Sequence, residues 1–160
     1  MWEKPELLLL LISANGTPIL LQKALGPRLD RPLDGGLVLR DGRRLLGRSA
    51  TIRGVVGAVL VTAGAASLLG HGARTGAIIG LASMAGDALS SFVKRRAGLA
   101  PGDRATGLDQ IPESLLPLVA VSGRYGLDWL DITALVTAFT LFDVVASRIL
   151  YRLRIRGRPH

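Results

Sequence analysis

A chain of 160 residues is expected to form one domain, and 49% apolar residues gathered in long runs, with a mean hydropathy of +0.39, argue against a soluble one. The absence of cysteine excludes disulfides, thiolate metal sites and a cysteine nucleophile, and two histidines leave little for histidine-based zinc chemistry. The net charge of +8 lies between the apolar runs rather than on a basic helix with interleaved aromatics; nucleic acid is therefore disfavoured as a partner, and anionic lipid or the cationic bias of inner loops is left.

The first apolar run, Leu7 to about Leu25, is long enough to cross a bilayer core. Its acidic leader and the lack of a small-residue cleavage site do not fit a signal peptide. Asn15-Gly16-Thr17-Pro18 interrupts the run, and because Pro18 removes a helix hydrogen bond a kink or break is expected there. Asn15 is either a polar residue tolerated at the kink or one that faces a cavity. Gly26 to Arg53 is a polar loop carrying Arg28, Arg31, Arg40, Arg43, Arg44, Arg48 and Arg53, with Asp30, Asp34 and Asp41 set between them. Topology alone explains cations in a loop; the alternation with carboxylates suits an ordered loop that grips a triphosphate.

A second span, about Gly54 to Gly70, carries a ladder of small residues at Ala58, Thr62, Ala66 and Gly70, the spacing that lets membrane helices approach closely. His71, without spaced partners, reads as an interfacial residue rather than a ligand. In the third span, about Thr75 to Val93, steps of four and three put Gly76, Gly80, Ser83, Asp87, Ser90 and Lys94 on one face. That face is expected to pack on neighbours at one end and to line a wet cavity at the other. Lys94-Arg95-Arg96 then opens a loop that leads to Asp109-Gln110. A fourth run, Ser114 to Ser122, is short, contains Pro117 and reaches at most Leu127. The fifth, Leu130 to Leu150, has Asp131 at its start and Asp143 in its second half, and a basic tail follows.

Five spans place both large loops and the tail on one side, leaving only Lys4, Arg74 and Arg124 among the basic residues of the other. The positive-inside rule then puts the N-terminus outside and the large loops in the cytoplasm. The expectation is an all-α integral membrane bundle of about five transmembrane helices, a single domain over residues 1–160, multi-pass in the cell membrane. Asp87 with Asp109 would suffice for Mg²⁺, which takes one or two carboxylates plus water and substrate phosphates. Nearby arginines and Lys94 would neutralise charge on a phosphorus transition state. No Walker A motif and no Gly-x-Ser-x-Gly elbow occurs, which argues against P-loop hydrolysis and serine hydrolysis.

These residues also carry a family resemblance. Pro32-Leu33-Asp34-Gly35-Gly36, Leu39-Arg40-Asp41-Gly42-Arg43-Arg44-Leu45-Leu46-Gly47 and Thr51-x-Arg53-Gly54 resemble the first cytoplasmic loop of CDP-archaeol synthases. Gly86-Asp87, Ser91-Phe92-Val93-Lys94-Arg95-Arg96 and Leu108-Asp109-Gln110 resemble the same family and, more distantly, phosphatidate cytidylyltransferases. The likeness implies a Mg²⁺-dependent CTP:lipid-phosphate cytidylyltransferase of the cytoplasmic membrane face that makes a CDP-lipid and pyrophosphate. It further implies Asp87 and Asp109 as metal ligands and catalytic residues together with Lys94. Arg40, Arg43, Arg53 and Arg95 would grip phosphates, with Asn15, Asp34, Asp41 and Ser91 in the polar pocket. Two positions depart from the family: Ala50 and Ile52 stand where a lysine and a tryptophan are usual, and Ala100-Pro101 replaces the Lys-Asp pair of the larger enzymes. The competing readings are an inactive membrane interaction protein of the same fold, and a transporter, which the lack of an inverted repeat disfavours.

Overall fold

The computed structural model describes residues 3–47, 50–99 and 107–152, with side chains to residue 149. Arg48, the Ala100-Pro101 pair, Arg104 and the basic tail beyond Arg152 lie outside the described residues. Five helices follow one another: α1 (Glu3–Leu25), α2 (Ile52–Leu68), α3 (Ala73–Arg96), α4 (Gln110–Tyr125) and α5 (Trp129–Arg152). Among the described residues there are no strands, only two isolated bridges, Pro32 with Thr51 and Val38 with Arg44.

Three helices, α1, α3 and α5, are long and apolar enough to cross a membrane. The other two are shorter: α2 has 17 residues and α4 has 16, spans of about 26 and 24 Å against a hydrocarbon core of ~30 Å. Pro112 occupies the first turn of α4, where a missing N–H leaves no helical bond unmade, and Pro117 lies inside the helix.

Of the kink or break expected at Asn15–Pro18, the break does not occur: α1 is helical from Glu3 to Leu25. A proline forfeits a single ladder bond, while Leu7, Leu10, Leu11, Ala14 and Thr17 bury one side of the helix against the bundle. Ser13, Asn15 and Thr17 donate to the carbonyls of Leu9, Leu11 and Ser13, at 2.9, 3.0 and 2.6 Å.

The small-residue ladder does what its spacing predicts. Gly54, Ala58, Thr62 and Ala66 are the buried face of α2, while Gly70 falls beyond the helix in an exposed turn with φ +84°. Opposite them on α3, a Cβ at Gly76 would lie 2.2 Å from the Thr62 carbonyl oxygen, and one at Gly80 would lie 2.9 Å from Val59 Cα. The two backbones are therefore nearly in contact. α3 meets α4 in the same way, at Gly86.

All five helices contribute to one apolar cluster, which includes Leu7, Leu10 and Leu11 of α1, Ala66, Ile79, Leu118 and Val121, and Ile132, Leu135 and Phe139 of α5. Most of these positions lie toward the end that carries the N-terminus and the short α2–α3 and α4–α5 connections. That end is tied by Lys4 to Asp131 and by His71, whose Nε2 lies 3.0 Å from the Glu6 carboxylate and whose Nδ1 lies 2.9 Å from the Tyr125 hydroxyl. The opposite half is polar inside. Ser83, Ser90, Ser91, Arg95, Gln110, Ser114 and Ser147 are all buried.

Candidate active site

The polar half is organised around the last turns of α3. Asp87 stands two helical turns before Lys94, and the side chain of a helical residue leans toward the helix N-terminus, so Lys94 reaches back over the turn that holds Asp87. Asp109 arrives from the start of α4. Its Oδ1 lies 2.6 Å from Lys94 Nζ, with side chains 14% and 21% exposed. Asp87 is within Coulombic reach of both Lys94 and Asp109. Lys94 and Asp109 are thus in contact, and Asp87 lies within electrostatic range of both.

Asp109 sits at the N-cap of α4, where an aspartate ordinarily accepts bonds from the first free helix N–H groups, yet it makes no such bond. The Lys94 contact is an ion pair off the line of a hydrogen bond, which leaves Oδ1 buried without an aligned donor. Two carboxylates within electrostatic range of each other, one of them in an ion pair rather than a helix cap, fit a divalent cation completed by substrate phosphates. Among the described residues no group of three or more His, Cys, Asp or Glu exists that would make a self-sufficient metal cage.

A narrow seam of about 20 Å³ runs beside Asp87, walled by Ala50, Thr51, Gly54 and Met84, and has room for about one water. Ala50, where the family usually carries lysine, is buried at this wall, whereas Ile52 is exposed.

The loop from Gly26 to Thr51 is folded, and its charged residues fold it. Asp34 accepts from the amides of Gly36 at 2.9 Å, Leu46 at 3.0 Å and Gly47 at 3.3 Å. Burial pushes its carboxyl upward, but these three donors with Arg44 nearby outweigh that and hold it below the usual carboxylate range. A small hairpin, closed by Leu39 N–H to Arg43 O and Leu45 N–H to Leu37 O, docks on the end of α3. The docking is reciprocal. Arg43 donates to the carbonyls of Arg95 and Arg96 at 3.2 and 2.8 Å, while Arg96 donates to the Arg44 carbonyl and to Asp41, both at 2.6 Å. The Arg43 amide and the Arg96 guanidinium hold the Asp41 carboxyl below its ordinary range, against the cost of desolvation. Gly98, at φ +82°, leaves space for the Arg43 guanidinium, 3.2 Å from where a Cβ would stand.

The remaining predicted residues are placed as follows. Arg53 is turned to the exit of α1, donating to the Gly26 carbonyl at 2.7 Å and to Arg28 O, and pairing with Asp30 at 3.1 Å. Asn15 bridges to Ser83 Oγ at 3.1 Å, and Ser83 donates onward to the Glu113 carbonyl at 2.7 Å, which links α1, α3 and α4 deep in the bundle. Arg40 is exposed at the hairpin tip, and Ser91 and Arg95 are buried one turn apart on α3. Sequence reasoning assigned no role to Arg96 or Gln110, although both lie inside quoted motifs. Nor did it single out Arg44, whose buried Nη1 has no hydrogen-bond partner. The Arg43-Arg44 and Arg95-Arg96 doublets were the available signal.

A membrane bundle whose polar half gathers paired carboxylates, a lysine and a folded cationic loop at one end has the make-up of an intramembrane enzyme that handles phosphates. The comparisons agree. A family model described as CarS-like, CDP-archaeol synthase, matches residues 25–160. A CDP-archaeol synthase of Aeropyrum pernix is 37% identical over 154 residues, covering 91% of this chain and 84% of that one. Another, of Methanopyrus kandleri, is 54% identical over 89 residues, 51% of this chain and 50% of its own length. A solved structure of an intramembrane enzyme for archaeal membrane lipids biosynthesis matches with a TM-score of 0.75 and 36% identity, covering 88% of this chain and 90% of that one. The chain belongs to the CarS-like CDP-archaeol synthase family.

Proposed function

We propose that Asp87, Lys94 and Asp109 form the catalytic centre of a CTP:lipid-phosphate cytidylyltransferase built as one membrane domain, with that centre at the cytoplasmic face. Family membership makes the chain a CTP-dependent nucleotidyltransferase. The observation that supports the site is the Lys94–Asp109 ion pair in the polar half of the bundle, with Asp87 within Coulombic reach of both partners. An oxygen of the lipid phosphate attacks the α-phosphorus of CTP, the bond from that phosphorus to the bridging oxygen breaks, and the CDP-lipid and pyrophosphate separate.

Asp87 and Asp109 would hold Mg²⁺, which when bound supplies positive charge against the crowded phosphate oxygens. Lys94, now paired with Asp109, offers its ammonium to the same oxygens as charge builds on them. The surrounding cations draw CTP from solution, because a basic funnel raises the local concentration of a polyanion. Orientation follows from the charge count. Of the 20 basic residues, only Lys4, Arg74 and Arg124 belong to the end opposite the site.

The test uses the full chain in detergent with CTP, a divalent ion and a panel of lipid phosphates that includes archaeal ether-lipid phosphate and phosphatidate. Pyrophosphate release is expected to need all three components and to be abolished in Asp87→Asn with the fold intact. Unchanged release in that variant would remove Asp87 from the chemistry, and no release with any lipid would favour an inactive family member.

A further inference from the structure

The turn that delivers Asp109 is closed by groups other than Asp109. Gly107, at φ +90°, accepts from the Ile111 amide at 2.9 Å and donates its own N–H to Gln110 Oε1 at 2.8 Å. Gln110 is 2% exposed, and the other end of its amide donates from Nε2 to Asp143 Oδ2 on α5 at 2.9 Å. Both functional atoms of a buried amide are thereby used, one on the turn and one on a carboxylate. That carboxylate is nine residues before the end of α5, about 14 Å along the helix, at a depth where an acid is costly without a role.

Resting on the reading of Asp109 as a metal-binding carboxylate, we propose that Gln110 and Asp143 are positioning residues for it. The Gly107 carbonyl accepts the Ile111 amide that an N-cap aspartate would bind, Pro112 offers none, and Gln110 holds Gly107 in that place, which leaves the Asp109 carboxylate out of the cap and paired with Lys94. Asp143 fixes Gln110 in the one amide orientation that serves the turn, since its carboxylate accepts only from the NH₂ end and so presents the carbonyl end to Gly107. The pair also anchors the site to α5. Hydrogen bonds that orient metal-binding residues from behind are typically worth ~10–100-fold in metal affinity.

The experiment measures binding of Mn²⁺ alone, by the loss of its free spin-resonance signal, to the full chain in detergent. Gln110→Glu sets two carboxylates against each other, and Gln110→Met removes both bonds at similar volume; each is expected to weaken binding about 10-fold. Adding Asp143→Asn to Gln110→Glu restores a donor opposite the new carboxylate, and affinity is expected to return to within about threefold of wild type. A purely structural role for Gln110 predicts loss of thermal stability with no such rescue of Mn²⁺ affinity. Folded variants that bind Mn²⁺ as the wild type does, or a double variant that is not rescued, would overturn the proposal. Asp109→Asn is the reference. If wild type binds no Mn²⁺, or Asp109→Asn binds it equally well, the metal reading itself falls and this inference with it.

Discussion

Gly86→Ala tests how finely the meeting of α3 and α4 sets the site. A Cβ built at Gly86 would lie 2.3 Å from the Pro112 carbonyl oxygen, 2.4 Å from its carbon and 2.6 Å from Glu113 Cα. All three neighbours are backbone, so no side-chain rotation relieves the clash. Ordinary contact begins near 3.4 Å, and α4 must therefore retreat by about 1 Å. Pro112 is three residues past Asp109, so Asp109 moves with it while Asp87, next to the substitution, stays with α3. Overpacking of this kind costs ~1–3 kcal/mol, offset by ~0.5–1 kcal/mol because alanine is the better helix former. The net cost in stability is ~0–2.5 kcal/mol, short of unfolding the protein, but a displacement of about 1 Å between reacting groups can cost ~10²-fold in rate. Pyrophosphate release is thus expected to fall about 100-fold with only a modest drop in melting temperature. Gly64→Ala on α2 is the control: a Cβ there meets nothing within 4 Å, and stability should hold or rise. Wild-type turnover in a folded Gly86→Ala protein would refute the reasoning, as would equal loss in both variants.

The loop offers two further tests. Asp34→Ala removes the acceptor for three amides, so hydrogen exchange at Gly36, Leu46 and Gly47 should quicken by tenfold or more while helix content is unchanged. The same bonds set a pH dependence. The folded pKa of Asp34 and of Asp41 lies below the unfolded value of ~3.9, so their stabilisation is complete above about pH 4 and fades as pH falls through the lower folded values. Loop protection factors should therefore hold from neutral pH to about pH 5 and collapse in stronger acid; protection that persists in strong acid would contradict this. Arg43→Ala and Arg44→Ala should differ in kind. The first undocks the hairpin from α3 and lowers protection along it, whereas the second spares those docking bonds and should weaken protection only near Asp34, whose carboxylate Arg44 helps hold.

What could be read from the chain beforehand was whatever follows from spacing. The six positions from Gly76 to Lys94 share a helix face, and the structure packs the glycine end on α2 and sets the Asp87–Lys94 end in the polar half. The ladder on α2 was legible for the same reason. What spacing does not report is which partner a cation finds. Arg43 and Arg53, which the family likeness assigns to phosphates, also hold backbone carbonyls at helix ends, a role open to any guanidinium near the negative end of a helix dipole. Of the kink or break expected at Pro18, the break is absent because the apolar face of α1 holds it against its neighbours through the proline. Gln110 escaped notice because a neutral amide carries no charge signal; only its burial between Gly107 and Asp143 reveals it.

The shortness of α4 explains why the site lies where it does. α3 and α4 run antiparallel and touch where Gly86 faces Pro112 and Glu113. Stepping three residues toward the loop end on each helix brings Asp109 level with Leu89 and Ser90. That is about 3–5 Å above Asp87 and 6–8 Å below Lys94 at 1.5 Å per residue. Lys94 then needs only to lean back along its helix, as helical side chains do, to reach Asp109 at 2.6 Å. An α4 two turns longer would carry its N-cap past Lys94 and away from Asp87. A helix of 16 residues instead ends inside the depth spanned by the 24-residue α3.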